Sequence, residues 1–238
     1  PGAVYADLDR DLSDLSRQAD GLGRHPLPLE SAFNMLLSRW GWHSGMQVVS
    51  YDRAGGALAA ARRWWLLRLV GVREAAVLDG GYQAWLAAGL PAATGETALR
   101  PATRLALHYD TSQVLVDHAA IRNGAAGQLL DARGVPRYRG EVEPIDPVGG
   151  HVPGALNRPF ADNLGSDGHF KPAAQLREEF AAVLGGTSPD HVVHMCGSGV
   201  TACHNILAME HAGLHGSRLY APSWSGWVSD PTRPVAKG

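Results

Sequence analysis

Short apolar runs alternate along this chain with longer segments of helical periodicity. The apolar runs cover residues 47–52, 76–79, 128–133, 191–195 and 218–221. Runs of this length, bounded by glycine-rich or small-residue turns, are typical of buried strands. Because they alternate with helical patterns, the chain is predicted to be an α/β protein with mainly parallel sheets covered by helices on both faces.

The two halves of the chain repeat each other. When Asp52 is aligned with Cys196, both residues follow an apolar strand and precede a small-residue turn and a helix. Trp85 then follows Asp52 by 33 positions, and Trp227 follows Cys196 by 31. This near-constant register predicts two copies of one α/β unit.

The repeat sets the expected domain boundaries. We predict a first domain over residues 1–98, a linker over 99–110 and a second domain over 111–238. Residues 91–101, at the end of the first domain, have the composition of turns and linkers. The strand predicted at 128–133 has no counterpart in the first copy, since the chain opens at Pro1. We therefore expect the first domain to lack its leading strand and to be truncated at its N-terminus.

Two helices of the second domain can be placed from their capping residues. One is expected to begin after Thr111 or Ser112 and to run towards Asn123. The other is expected to run from Pro172 to Leu184, before a pair of glycines.

Composition narrows the class of protein. The chain has 21 basic and 23 acidic residues and a formal net charge of -2, which argues against nucleic acid as the main partner. The sequence has no apolar run of about 18 residues, so no membrane span is expected. Its only cysteines, Cys196 and Cys203, are too few for a disulfide framework, which favours a reducing, cytoplasmic location.

The turn at residues 196–202 carries the strongest chemical signal. Such a turn between strand and helix points backbone N–H groups at one place and stabilises an anion, including a thiolate. Ala202 stands where a cysteine phosphatase would have the arginine that fixes a phosphoryl group, so phosphatase chemistry is disfavoured. A thiolate that attacks divalent sulfur and carries it as a persulfide needs no such arginine. The alternative is a small cysteine that only packs.

The residues around this turn resemble a known family. The loop Cys-Gly-Ser-Gly-Val-Thr-Ala is similar to that of the two-domain sulfurtransferases, the rhodanese and 3-mercaptopyruvate sulfurtransferase family. Further matches lie at residues 78–81, 131–133, 137–141, 150–155 and 223–227. The resemblance implies two tandem rhodanese-like domains, each a mainly parallel sheet flanked by helices, with a catalytic cysteine in the second domain alone. The first domain would then pack on the second and help to wall the site.

The resemblance also implies a substrate site around Cys196. The remaining loop residues would form an anion cradle, namely Gly197, Ser198, Gly199, Val200 and Thr201. Serine at position 198 is similar to members that use 3-mercaptopyruvate, whereas a basic residue there is associated with thiosulfate. Arg137 matches the arginine that grips the donor, with Arg139 as a helper, and Trp224 would line the pocket rim. A second donor-binding arginine has no match in residues 143–148.

Members that use mercaptopyruvate pair the loop serine with an Asp and a His for proton handling, which this resemblance assigns to Asp9 and His25. The simpler interpretation of Asp9 is an exposed acidic residue in a loop. Arg137 and Arg139 could instead form ion pairs with acids at positions 141, 143 or 146. Cys203 is expected to pack, with a resolving disulfide as the alternative.

These observations predict a sulfurtransferase that moves sulfur from 3-mercaptopyruvate through a Cys196 persulfide to cyanide, a small thiol or thioredoxin. Thiosulfate:cyanide sulfurtransferase activity at the same cysteine is the first alternative. A persulfide carrier without turnover, or a binding module, is the second. The resemblance implies no metal and no organic cofactor.

Overall fold

The computed structural model describes residues 1–115 and 117–238. The first half contains the following elements: α1 (Glu30–Arg39), β1 (Val48–Ser50), α2 (Ala59–Leu69), β2 (Ala75–Val77) and α3 (Gly81–Ala87). The second half begins with β3 (Val114–Leu115), α4 (His118–Arg122), β4 (Gln128–Asp131), α5 (Val135–Arg139) and β5 (Leu156–Asn157). It continues with α6 (Ala173–Leu184), β6 (Val192–Met195), α7 (Ala202–His211), β7 (Arg218–Tyr220) and α8 (Ser223–Trp227).

The second half is built on a parallel sheet with the strand order β3-β7-β6-β4-β5. Strand β6 is central and buried on both faces, which explains its continuous apolar sequence. Val193 and Met195 point into the cluster that contains α8, while Val192 belongs to the cluster under α6 and α7. This alternation is the two-residue period of a strand, and it places the end of β6 at the centre of the domain.

The first half has a smaller sheet, in which β1 pairs with β2 in parallel register from Val48 opposite Ala75 to Ser50 opposite Val77. The prediction of parallel sheets flanked by helices is confirmed, and the first sheet is the smaller one in the described residues. One apolar cluster joins the halves, because α2 packs against α7 and Trp65 shares a core with Cys196 and Ile206. The two halves therefore meet directly beside the cysteine loop.

The predicted helix at residues 172–184 is confirmed as α6, which begins after Pro172 and ends at Gly185 in the left-handed conformation. The helix predicted from Thr111 or Ser112 is wrong in its start. A 3-10 turn over Thr111–Gln113 leads into strand β3, and α4 begins only after Asp117, whose side chain accepts the Ala119 N–H at 2.7 Å. Part of that predicted span, Val116, lies outside the described residues. In the described part of the chain, no helix is both long and apolar enough to cross a membrane.

Candidate active site

Cys196 lies at the carboxyl end of the central strand β6, where parallel α/β sheets place their ligands. Its side chain is 2% exposed, and helix α7 begins six positions later. The segment at residues 223–225 braces the loop, since Ser223 Oγ accepts the Cys196 N–H at 3.1 Å, and Trp224 N–H donates to the Cys196 carbonyl at 3.0 Å. Two neighbouring strand ends therefore hold the backbone of the cysteine in place.

Gly199 gives the loop its sharp turn. Its φ is 78°, in the left-handed region, and a Cβ at this position would lie 2.6 Å from the Ala221 carbonyl oxygen. Only glycine fits here without strain. The predicted cradle residues from Gly197 to Val200 are all buried, whereas Thr201, at the start of α7, is half-buried and makes no capping hydrogen bond.

The loop of the first half has a similar backbone arrangement, but an aspartate takes the place of the cysteine. The Asp52 carbonyl accepts the Tyr82 N–H at 2.9 Å, as the Cys196 carbonyl accepts that of Trp224. The Asp52 carboxylate accepts backbone N–H groups of Ala54 and Gly56 at 2.8 Å. It also accepts those of Leu58 and Ala60, at 3.0 and 3.1 Å. The first loop thus keeps an amide cradle and fills it with its own anion, which supports the alignment of Asp52 with Cys196.

Ser198, His25 and Asp9 form one hydrogen-bonded chain across the two halves. Ser198 Oγ lies 2.7 Å from His25 Nδ1, and His25 Nε2 lies 3.2 Å from Asp9 Oδ1. A carboxylate only accepts, so Nε2 carries the proton in a neutral ring and Nδ1 accepts the Ser198 hydroxyl hydrogen. Burial lowers the pKa of His25 below its usual 6.5, and the charges of Arg62 and Arg24 add to this, although Asp9 raises it. His25 is therefore neutral at pH 7 and can accept a proton.

Two guanidinium groups converge on the backbone beside Cys196. A Cβ placed on Gly197 would lie 3.0 Å from Arg24 Nη2 and 3.6 Å from both terminal nitrogens of Arg137. Arg137 was expected beside the loop, and residues 143–148 contain no second arginine. The second guanidinium beside Gly197 is that of Arg24, from the first half of the chain. The only sequence signal for Arg24 is its position directly before His25.

Both arginines are also ion-paired, which the alternative interpretation had expected for Arg137. Arg137 donates to Glu143 at 2.7 and 3.1 Å and to Asp146 at 3.2 Å, and Asp146 also pairs with Arg24. The side chains of Glu143 and Asp146 are only 6% and 4% exposed. Burial alone would raise the pKa of Glu143, but hydrogen bonds from Arg137 and from backbone N–H groups outweigh it and hold the pKa below its usual value. The acids thus fix both guanidinium groups at the loop.

Two other candidates lie elsewhere. Arg139 is 54% exposed and faces Glu141 at 3.8 Å, without a contact to the cysteine loop among the described residues. Trp224 is fully buried rather than at a pocket rim, with its ring under the Arg133 guanidinium at 4.4 Å and its indole N–H on the Val148 carbonyl. Its local sequence could not show this, since α8 turns the ring inwards against the sheet.

Cys203 is buried within the first turn of α7. Its Sγ donates to the Gly199 carbonyl at 3.3 Å, and burial raises the pKa of its thiol to about 12. Both cysteines are free. These features favour packing over a redox role. Across residues 1–115 and 117–238, no cluster of three or more His, Cys, Asp or Glu side chains could hold a metal ion.

Comparisons with known proteins agree with this geometry. A curated Pseudomonas aeruginosa protein named "Probable 3-mercaptopyruvate sulfurtransferase" is 51% identical over all of this chain and 84% of its own length. The mouse thiosulfate sulfurtransferase is 32% identical over all of this chain and 80% of its own length.

Among solved structures, the 3-mercaptopyruvate sulfurtransferase of Leishmania major superposes with a TM-score of 0.81 at 32% identity. The match covers 98% of this chain and 64% of the Leishmania chain, so this chain spans less than two thirds of that protein. A sequence model of the rhodanese-like domain matches residues 1–88 and again 116–230. The domain model matches the chain twice, and both halves contain the same backbone N–H cradle. The chain therefore belongs to the rhodanese family and carries two rhodanese-like domains in tandem.

Proposed function

We propose that this protein is a sulfurtransferase that takes sulfur from 3-mercaptopyruvate onto Cys196 and passes it to an acceptor. The observation that carries the choice of donor is the chain from Ser198 through His25 to Asp9 beside Cys196. Thiosulfate releases sulfite, which leaves as an anion without a proton. Mercaptopyruvate releases an enolate that must be protonated on carbon, so a proton relay serves this donor in particular.

In the first step, the Cys196 thiolate forms a bond to the donor sulfur and the carbon–sulfur bond breaks. The electron pair of that bond leaves with the pyruvate enolate. His25 accepts the donor's thiol proton through Ser198. The Ser198 hydroxyl then gives a proton to the enolate carbon and regains one from His25, so the thiol proton ends on the methyl group of pyruvate. Asp9 holds the His25 ring with Nδ1 towards Ser198.

Arg24 and Arg137 hold the donor's carboxylate over Gly197 in this proposal, and Arg139 is left out of the clamp. Two buried carboxylates, Glu143 and Asp146, balance the two guanidinium charges. A single added carboxylate suits such a site better than the double charge of thiosulfate. Buried backbone from Gly197 to Val200 then surrounds the terminal charge of the persulfide, and Thr201 adds a hydroxyl donor.

In the second step, the acceptor's nucleophile attacks the outer sulfur, the sulfur–sulfur bond breaks and Cys196 leaves as a thiolate. Cyanide, a small thiol or thioredoxin could each supply that nucleophile. A reducing, cytoplasmic setting is proposed for this chemistry, and the two free cysteines support it.

Thiosulfate remains the second candidate donor, because a relative of this chain is named thiosulfate sulfurtransferase. The kcat/KM values for the two donors, measured with cyanide as the common acceptor, separate the alternatives. We expect a clear preference for mercaptopyruvate. A preference for thiosulfate would contradict the roles given to Ser198 and His25.

The persulfide itself is tested by intact mass after incubation with each donor and no acceptor. We expect a mass increase of one sulfur atom that is lost on addition of cyanide, and no increase in Cys196→Ser. If neither donor adds sulfur, the proposal fails. A stable persulfide that no small acceptor discharges would instead indicate a carrier without turnover.

A further inference from the structure

Arg62 is a buried charge in an unexpected place. It lies on α2 of the first half, and it is 0% exposed. Its three hydrogen bonds all go to backbone carbonyls, and it has no ion pair among the described residues. The acceptors are Leu12 O at 3.4 Å, Gly199 O at 3.0 Å and His25 O at 3.0 Å.

A buried guanidinium without a carboxylate partner is costly, and an apolar side chain of similar volume would fill the same space more favourably. What arginine adds is a rigid planar fork with donors at fixed separations. Two of these donors bind the backbone on either side of the hydrogen bond between Ser198 and His25. Nη2 holds the carbonyl of His25, and Nη1 holds the carbonyl of Gly199, the residue directly after Ser198.

We propose that Arg62 is a positioning residue of the sulfur-transfer site, whose guanidinium holds the Gly199 and His25 carbonyls at a fixed separation and thereby sets the hydrogen bond between Ser198 and His25. This inference rests on the proposed function, since that hydrogen bond is the proton relay. It also explains what the first half contributes although its own loop carries Asp52. Residues 223–225 brace one side of the cysteine loop, and Arg62 braces the other.

The charge of Arg62 acts on His25 as well. The charged and titratable groups that face His25 are Asp9, which raises its pKa, and Arg62 and Arg24, which lower it together with burial. Ser198 faces Nδ1 without a charge. Removal of the Arg62 charge therefore raises the pKa of His25. In the pH profile of kcat, the rate falls on the acidic side as His25 becomes protonated, and this acidic limb therefore moves to higher pH.

The test compares Arg62→Gln with Arg63→Gln. Arg63 is the neighbouring arginine of the same helix and is half-buried, but its guanidinium lies over the Trp40 ring at 4.7 Å. We expect Arg62→Gln to lower kcat about 100-fold, as small misplacements of reacting groups do, with KM little changed and the acidic limb at higher pH. Arg63→Gln keeps the wild-type kcat and limb, even where its Tm falls equally.

Arg62→Lys provides the second variant, because it keeps the charge without the two-point fork. We expect it to keep the wild-type acidic limb and still lose most of kcat, and this readout holds where Arg62→Gln does not fold. Equal losses of kcat in Arg62→Gln and Arg63→Gln, or a wild-type kcat in Arg62→Lys, would overturn the proposal.

A donor-independent measurement separates the two proposals. NMR titration of the His25 ring in wild type and in the Arg62 variants reports on the contact without any substrate. An unchanged His25 titration in Arg62→Gln would contradict the positioning role of Arg62. A wild-type enzyme that acquires no sulfur from either donor counts against the proposed function instead.

Discussion

The replacement Arg24→Gln tests whether the donor is held by a guanidinium from the first half. Arg24 and Arg137 both point at Gly197, and Asp146 bridges them. Glutamine removes the charge and leaves Asp146 paired with Arg137. We expect weaker binding of mercaptopyruvate, seen mainly as a higher KM, because the contact exists both before and during the reaction.

The size of the effect follows from the exposure of the side chain. A hydrogen bond to a charged group contributes about 1.5–3 kcal/mol. The Arg24 side chain is 30% exposed, so solvent screens part of this. A loss of about 1.5–2 kcal/mol corresponds to a fall of about 10–30-fold in kcat/KM.

The assay measures initial rates of pyruvate release over a range of mercaptopyruvate concentrations, with cyanide as acceptor. Arg17→Gln serves as the matched control, since Arg17 lies in the same N-terminal segment and its one ion pair among the described residues is with exposed Asp20 at 3.5 Å. An unchanged KM in Arg24→Gln, or an equal rise in Arg17→Gln, would refute the assignment. So would a fall confined to kcat, because a carboxylate clamp acts on binding.

Three further outcomes are expected. Ser198→Ala should lower kcat for mercaptopyruvate by about 100-fold, as loss of a positioned proton donor does, and should leave thiosulfate turnover much less affected; equal losses for both donors contradict the relay. Since the pKa of His25 is lowered, kcat/KM should stay level through neutral pH and fall only as pH drops below 6.5, and this limb should vanish in His25→Asn. Asp52→Ala should lower the free energy of unfolding by about 1–2 kcal/mol, because the partly buried N–H groups of Gly56 and Ala60 lose their acceptor, and should lower Tm by about 5 °C. Sulfate should restore part of the lost stability, and a wild-type Tm without sulfate argues against the filled cradle.

The local features of the site were readable from the sequence. A thiol in a small-residue turn after a central apolar strand depends on residues that are neighbours in the chain, and the strand and turn formed where the periodicity predicted them. The start of α4 differs from the prediction because Val114 and Leu115 pair with strand β7, so the helix begins only after Asp117. Arg24, which lies beside Gly197, could not be identified from local patterns because it belongs to the other half of the molecule.

By itself, the sequence determined the repeat, the parallel α/β units, the cysteine loop and the empty thiol position at Asp52, because each depends on short-range patterns of burial and turn chemistry. Tertiary structure alone decided which side chains meet that loop. His25 and Ser198 are 173 positions apart, and Arg62 and Gly199 are 137 apart. Such contacts follow from the packing of α2 on α7 across the two domains, which no local periodicity encodes. The same packing brings Arg24 to Gly197, so that residues of both halves lie around the cysteine loop.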